Sequence, residues 1–175
     1  TSSPNTSFNL EHAIKVGDYI HAKGNETLQW NGKNLGPTGG AMGAYTEAVN
    51  ILNEKDYRIY EVYEVVARLH PEVKTNTKKD PHQMKDVNDY YNMKVTFISR
   101  DVSSIKNALN QGKLVQTITD TNLFRNSENK LVNWSGRHWG LLFYYDGKYF
   151  HMKNAGSIKQ KNEVAILKNI KRKEA

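Results

Sequence analysis

Residues 35–52 read LGPTGGAMGAYTEAVNIL. Pro37 presets φ for a first helical turn and lacks the N–H that such a position leaves without a partner, so a helix is expected from Pro37 to about Asn53. Met42, Tyr45, Val49 and Leu52, at steps of three and four, form its apolar stripe. Gly39, Gly40, Ala41, Gly43 and Ala44 strip the first turns of bulk. Each glycine costs a helix roughly 0.5–1 kcal/mol relative to alanine, so close backbone approach or an open helix N-terminus must supply the gain. A helix lying tight against a sheet needs only the small residues. A helix that holds a reactive group at its N-terminus needs partners elsewhere in the chain.

The best-signalled partner is the hairpin GRHWGLLFYYDGKYFHMKN, residues 136–154. Two apolar strands, His138–Tyr145 and Lys148–Lys153, meet at Asp146-Gly147, and aromatic residues on both faces imply a central, covered position. A strict two-residue turn would set His138 across from Ala155. Gly147 in the left-handed bulge position is expected to shift this by one, bringing His138 across from Asn154.

The intervening chain alternates helix and strand signals. Asp56 to His70 favours helix, although its β-branched residues leave strand open, and Pro71 ends it. HPEVKTNTKKDPHQ reads as a polar surface loop that leaves His70 and His82 exposed, and Val87–Asn92 as a short helical turn. KVTFIS, residues 94–99, has good strand alternation. Asp101 is placed to cap VSSIKNALNQ, with Gly112 beyond its end, before the strand Lys113–Thr119. Asp120–Gly136 reads as an irregular loop of the length that shapes a site. Near the start, Leu10, Ala13 and Ile14 suggest a short helix carrying His12, and Asn31-Gly32 is a turn. His12 and His21 have no partner in the pattern.

At 175 residues the chain is large enough for one core. The expected organisation is a flexible lead-in over 1–8, one α+β domain over 9–170 and a basic tail over 171–175. Mean hydropathy is −0.73, and no apolar run approaches the ~18 residues of a spanning helix, so a soluble protein is expected, with a secreted or delivered effector fitting the composition. The absence of cysteine excludes a disulfide framework and any thiolate metal site. The net charge of +7 would suit acidic surfaces or nucleic acid, but a solvated basic tail is the commoner cause of such a balance. His138 and His151 are the only close histidine pair downstream and lack further ligands, so no metal and no cofactor is expected.

Gln29, Leu35-Gly-Pro-Thr-Gly-Gly-Ala-Met, the glycine-ended helix SSIKNALNQG, His138 and Asn154 occur in an order that resembles the papain-like cysteine peptidases, closest to the bacteriocin-leader peptidase type. The resemblance covers about Gln29 to Asn154. It implies an N-terminal helix packed against a mostly antiparallel sheet, Gln29 as oxyanion donor, His138 as base, Asn154 as its orienter, and Trp139 and Trp30 beside a peptide substrate. The nucleophile position falls on Leu35, or on Gly39 in an alternative register, and neither can attack. Thr38 is a hydroxyl nearby, but catalytic threonines act with their own N-terminal amine. The resemblance therefore implies a form lacking its thiol, either inactivated or a natural peptide-binding pseudoenzyme. Two alternatives belong to other classes. A basic toxin would act on RNA with His138 and His151 as acid and base and Lys153 on the phosphate. A pure interaction domain would be held by a protein partner.

Overall fold

The structure, a computed structural model, describes residues 8–16, 27–35, 40–120, 124–126, 128–131, 137–153 and 164–167. Its helices are α1 (Leu10–Lys15), α2 (Gly40–Asn53), α3 (Ile59–Leu69), α4 (Lys85–Tyr90) and α5 (Val102–Asn110), with 3-10 turns at Pro71–Lys74 and Pro81–Gln83. The strands are β1 (Gln29–Trp30), β2 (Lys33–Asn34), β3 (Val115–Asp120), β4 (Phe124–Arg125), β5 (Arg137–Tyr145), β6 (Phe150–Lys153) and β7 (Val164–Leu167). β1 and β2 form a ribbon closed by Asn31 and Gly32, both at positive φ, as the turn signal implied. The other five strands form one antiparallel sheet in the order β3-β5-β6-β7-β4. The class is thus α+β, with helices against antiparallel strands. Among the described residues no helix is long and apolar enough to cross a membrane.

α2 is buried from Ala41 to Ile51 because it lies between two layers. Met42, Tyr45 and Val49 join Val62, Tyr63 and Val66 of α3 and Val87 of α4 in one core, while Ala48 and Ile51 meet Leu141 and Phe143 of β5 in another. Its small residues let the sheet approach: a Cβ on Gly40 would sit 3.4 Å from the Cβ of Trp139. Leu52, expected on the stripe, is instead 42% exposed, just past the point where the buried run of the helix ends at Ile51. α5 covers the other face of the sheet, where Ile105 and Leu109 pack on Val115, Leu142, Phe150 and Met152. Asp101 caps this helix through the amide of Ser104 at 2.7 Å, and Gly112 follows at positive φ, as the sequence implied.

Alternation along β5 therefore assigns its faces. Trp139, Leu141 and Phe143 look toward α2; His138, Gly140 and Leu142 look toward the α5 side. A bulge between Leu142 and Tyr144 then brings Tyr145 back to the α5 side.

Three expectations change. The β5–β6 connection has four residues, with Tyr145 paired to Phe150 and the Asp146 carboxylate accepting from the amides of Lys148 and Tyr149. Gly147 does take positive φ. Setting His138 across from Asn154 would put Leu141 across from His151, yet Leu141 lies across from Lys153, two residues further along. The longer connection and the Phe143 bulge together produce this register; Asn154 itself lies outside the described residues. Lys94–Ser99 forms no strand and connects α4 to α5 without regular structure. Its alternation is strand-like, but among the described residues no strand pairs with it. The 70–83 stretch, expected to be a surface loop, folds into the two 3-10 turns and packs its second turn against α2.

Candidate functional site

Two of the residues expected at a cleft belong to the interior. Leu35 is only 2% exposed, its amide bonded to the carbonyl of Leu28 at 2.7 Å and its side chain in the core with Trp30 and Met42. Trp30, expected beside a substrate, is 7% exposed and sits edge-on to Tyr63 at 6.4 Å. Alternation in the β1–β2 ribbon turns Trp30 inward and leaves Gln29 outside, where its side-chain amide donates to Asn34 Oδ1 at 2.6 Å. Gly39 and Asn154 lie outside the described residues, as do Thr38 and His21.

His138 and α2 stand on different faces of the sheet. α2 runs in the same direction as β5, so its positive end lies where β5 begins. It is Trp139, not His138, that meets its first turn. His138 is half-buried on the other side, edge-on to Phe124 at 6.4 Å and across the ladder from Thr119. His151 is far from it. That imidazole pairs with Asp146 at 2.8 Å on the α2 face and lies across from Tyr144, roughly 20 Å along the strand from His138 at ~3.3 Å per residue. The two cannot share one phosphate as acid and base.

The imidazole that does reach the first turn of α2 is His82. Gln116, on the α2 face of β3, places its Nε2 3.2 Å from the Ala41 carbonyl and 3.3 Å from His82 Nδ1. That amide nitrogen has two protons to give, so Nδ1 serves as acceptor and the ring keeps its proton on Nε2. The ring lies 5.5 Å from Trp139 and 6.2 Å from Phe97. Its backbone carbonyl accepts from Asn88, which in turn accepts from the Tyr45 hydroxyl at 2.7 Å, tying the 3-10 turn to α4 and α2. Burial holds this imidazole below its ordinary pKa, partly offset by the Asp80 carboxylate, and burial raises Asp80 itself. The signal for this arrangement is Asp80-Pro81-His82-Gln83, a capping box with proline at its first position that folds the chain back onto the helix.

His70 is the contrasting case. Its Nε2 lies 2.7 Å from Asp86 and its Nδ1 3.2 Å from Glu72, beside a shallow cavity of about 410 Å³ lined by Lys79, Met84 and Asp89. The hydrogen bond to Asp86 raises its pKa against a smaller effect of desolvation, and that bond also lowers Asp86. Among the described residues, no group of three or more His, Cys, Asp or Glu is placed to hold a metal ion.

The two imidazoles should titrate on either side of 6.5 in an NMR titration. A histidine with raised folded pKa stabilises the fold below the unfolded value of about 6.5, a contribution lost as pH rises through the folded pKa. For His82 the sign reverses: stability falls as pH drops below about 6.5, because the unfolded chain takes up the proton first. Asp86→Asn should bring His70 down and leave His82 unmoved. A His82 resonance titrating above 6.5 would contradict the buried wedge between Trp139 and Phe97.

No family model matches this chain, nor does any curated protein or solved structure.

Proposed function

We propose that this chain is a peptide- or protein-binding domain of papain-like build that does not hydrolyse what it binds. The observation that carries the proposal is Leu35. At the position where the resemblance calls for a nucleophile stands an apolar side chain, 2% exposed and packed into the main core. A hydrolase of this type needs a thiolate open to its substrate with an imidazole within hydrogen-bond reach. This chain has no cysteine, and His138 looks away from α2.

The papain-like build is supported by chain order and by the parallel course of α2 and β5, which start at the same end of the sheet. Binding is supported by side chains left at that end without full cover: Trp139 and Ile118 are half-buried and Phe97 is 74% exposed. Large apolar side chains grouped at a surface mark contact sites more often than scattered ones do.

The test is a displayed library of twelve-residue peptides panned against the chain, run beside a casein-cleavage assay. Enriched peptides that bind in the micromolar range, with casein left intact, are the expected result. Casein turnover by the unaltered chain, or no enrichment over an unrelated basic protein, would sink the reading.

A further inference from the structure

Resting on that reading, we propose that the peptide binds as an added strand along the outer edge of β3, and that it is an acidic segment with an apolar side chain seated on Phe97, His82 and Trp139.

Among the described residues β3 is the terminal strand of the sheet and pairs only with β5. A terminal strand carries a row of backbone donors and acceptors that can template another chain, and proteins normally blunt such edges with lysine, proline, bulges or a covering element. Val115–Asp120 reads VQTITD, with no lysine and no proline, and its pairing to β5 is regular throughout. The connector 94–99 passes nearby, since Phe97 touches His82 and His82 touches Gln116, yet among the described residues no backbone hydrogen bond joins it to the strand. The edge is thus long enough to pair, and no described residue pairs with its outer side.

The side chains beside it would fix the peptide's register. Ile118 lies across from Trp139 on the α2 face, both half-buried, and with His82 and Phe97 they form an apolar ledge at the strand's edge. Strand addition recognises alternate side chains in this way, with main-chain hydrogen bonds supplying affinity.

Charge selects the occupant. Lys113 just before β3 and Lys94 on the connector are both exposed. The acidic groups nearby are Asp80, half-buried in its cap, and Asp120 at the strand's end. The whole chain carries a net charge of +7, so two copies repel each other on approach, whereas an acidic segment is attracted and steered.

The probe is a fluorescein-labelled decapeptide alternating Glu with Val and Phe. Three controls accompany it: Lys in place of Glu, alternate amides N-methylated, and the probe against Phe97→Ala and Ile118→Asp. The acidic probe is expected to bind, to lose at least tenfold with each control, and to slow hydrogen exchange across 115–119. Phe97 is mostly exposed, so Phe97→Ala keeps the test valid if Ile118→Asp fails to fold. Equal affinity for the Lys peptide, or binding that ignores Phe97→Ala and leaves 115–119 unprotected, would overturn the edge site while peptide binding itself stands. A dimer abolished by Ile118→Asp would overturn it by giving the edge to a second copy. Absence of probe binding would also overturn it, and library enrichment then decides separately whether the chain binds peptides elsewhere.

Discussion

Leu35→Ala is expected to cost about 2–5 kcal/mol, the range for truncating a buried leucine whose surroundings cannot fully collapse. At this chain length each kcal/mol lowers the thermal midpoint by about 2–4 °C. Leu35 packs with Trp30 and Met42 in the core that joins the β1–β2 ribbon to α2 and α3, and its amide bonds to Leu28. Truncation therefore loosens the ribbon as well as the core. Leu35→Cys separates packing from chemistry. Its thiol is expected to resist iodoacetamide in the folded protein and to react once denaturant is added, with no casein cleavage in either variant. A thiol that reacts at once in the folded protein, or an alanine variant within 0.5 kcal/mol of the parent on the scale of a neutral surface change, would show position 35 open to a cleft. That result would overturn the packing role given to Leu35, on which the proposed function rests.

The sequence carried α2 well because proline start, small residues and apolar spacing are all local. It could not say that the helix is buried on both sides, since a stripe drawn from Met42, Tyr45, Val49 and Leu52 describes only one of the two layers. The hairpin was equally clear as a pair of strands, but its faces were not. His138 and Trp139 are neighbours, so one of them had to turn from the helix, and with apolar residues on both faces nothing local chose between them. The register failed for a related reason: Asp146-Gly147 suits several connections, and the Asp146 side chain selects a four-residue one by binding two amides within the loop. KVTFIS has the pattern of a strand without the partner that makes one, and pairing partners are not a local property. His82 was legible in principle through its capping box, but the two prolines around it read as a loop.

Gly140 offers a sharper test of the assigned faces than any single truncation. A Cβ at this position would lie 2.1 Å from Met152 Sδ and 2.7 Å from its Cγ. Met152 is fully buried beside Leu142 and Phe150, under α5, so its side chain has nowhere to retreat without displacing them. Gly140→Ala is expected to cost about 1–3 kcal/mol by overpacking. Met152→Ala alone is expected to cost about 2–5 kcal/mol through the cavity it leaves. In the double variant the new methyl occupies part of the space that the methionine vacated, so the combined loss should fall short of the sum by about 0.5–3 kcal/mol, the coupling seen between residues in contact. Urea unfolding of all four proteins gives that coupling directly. Additive losses would mean that Gly140 and Met152 do not face each other. Because His138 shares the face of Gly140 by alternation, additivity would also remove one of the contacts that set the imidazole on the side away from α2.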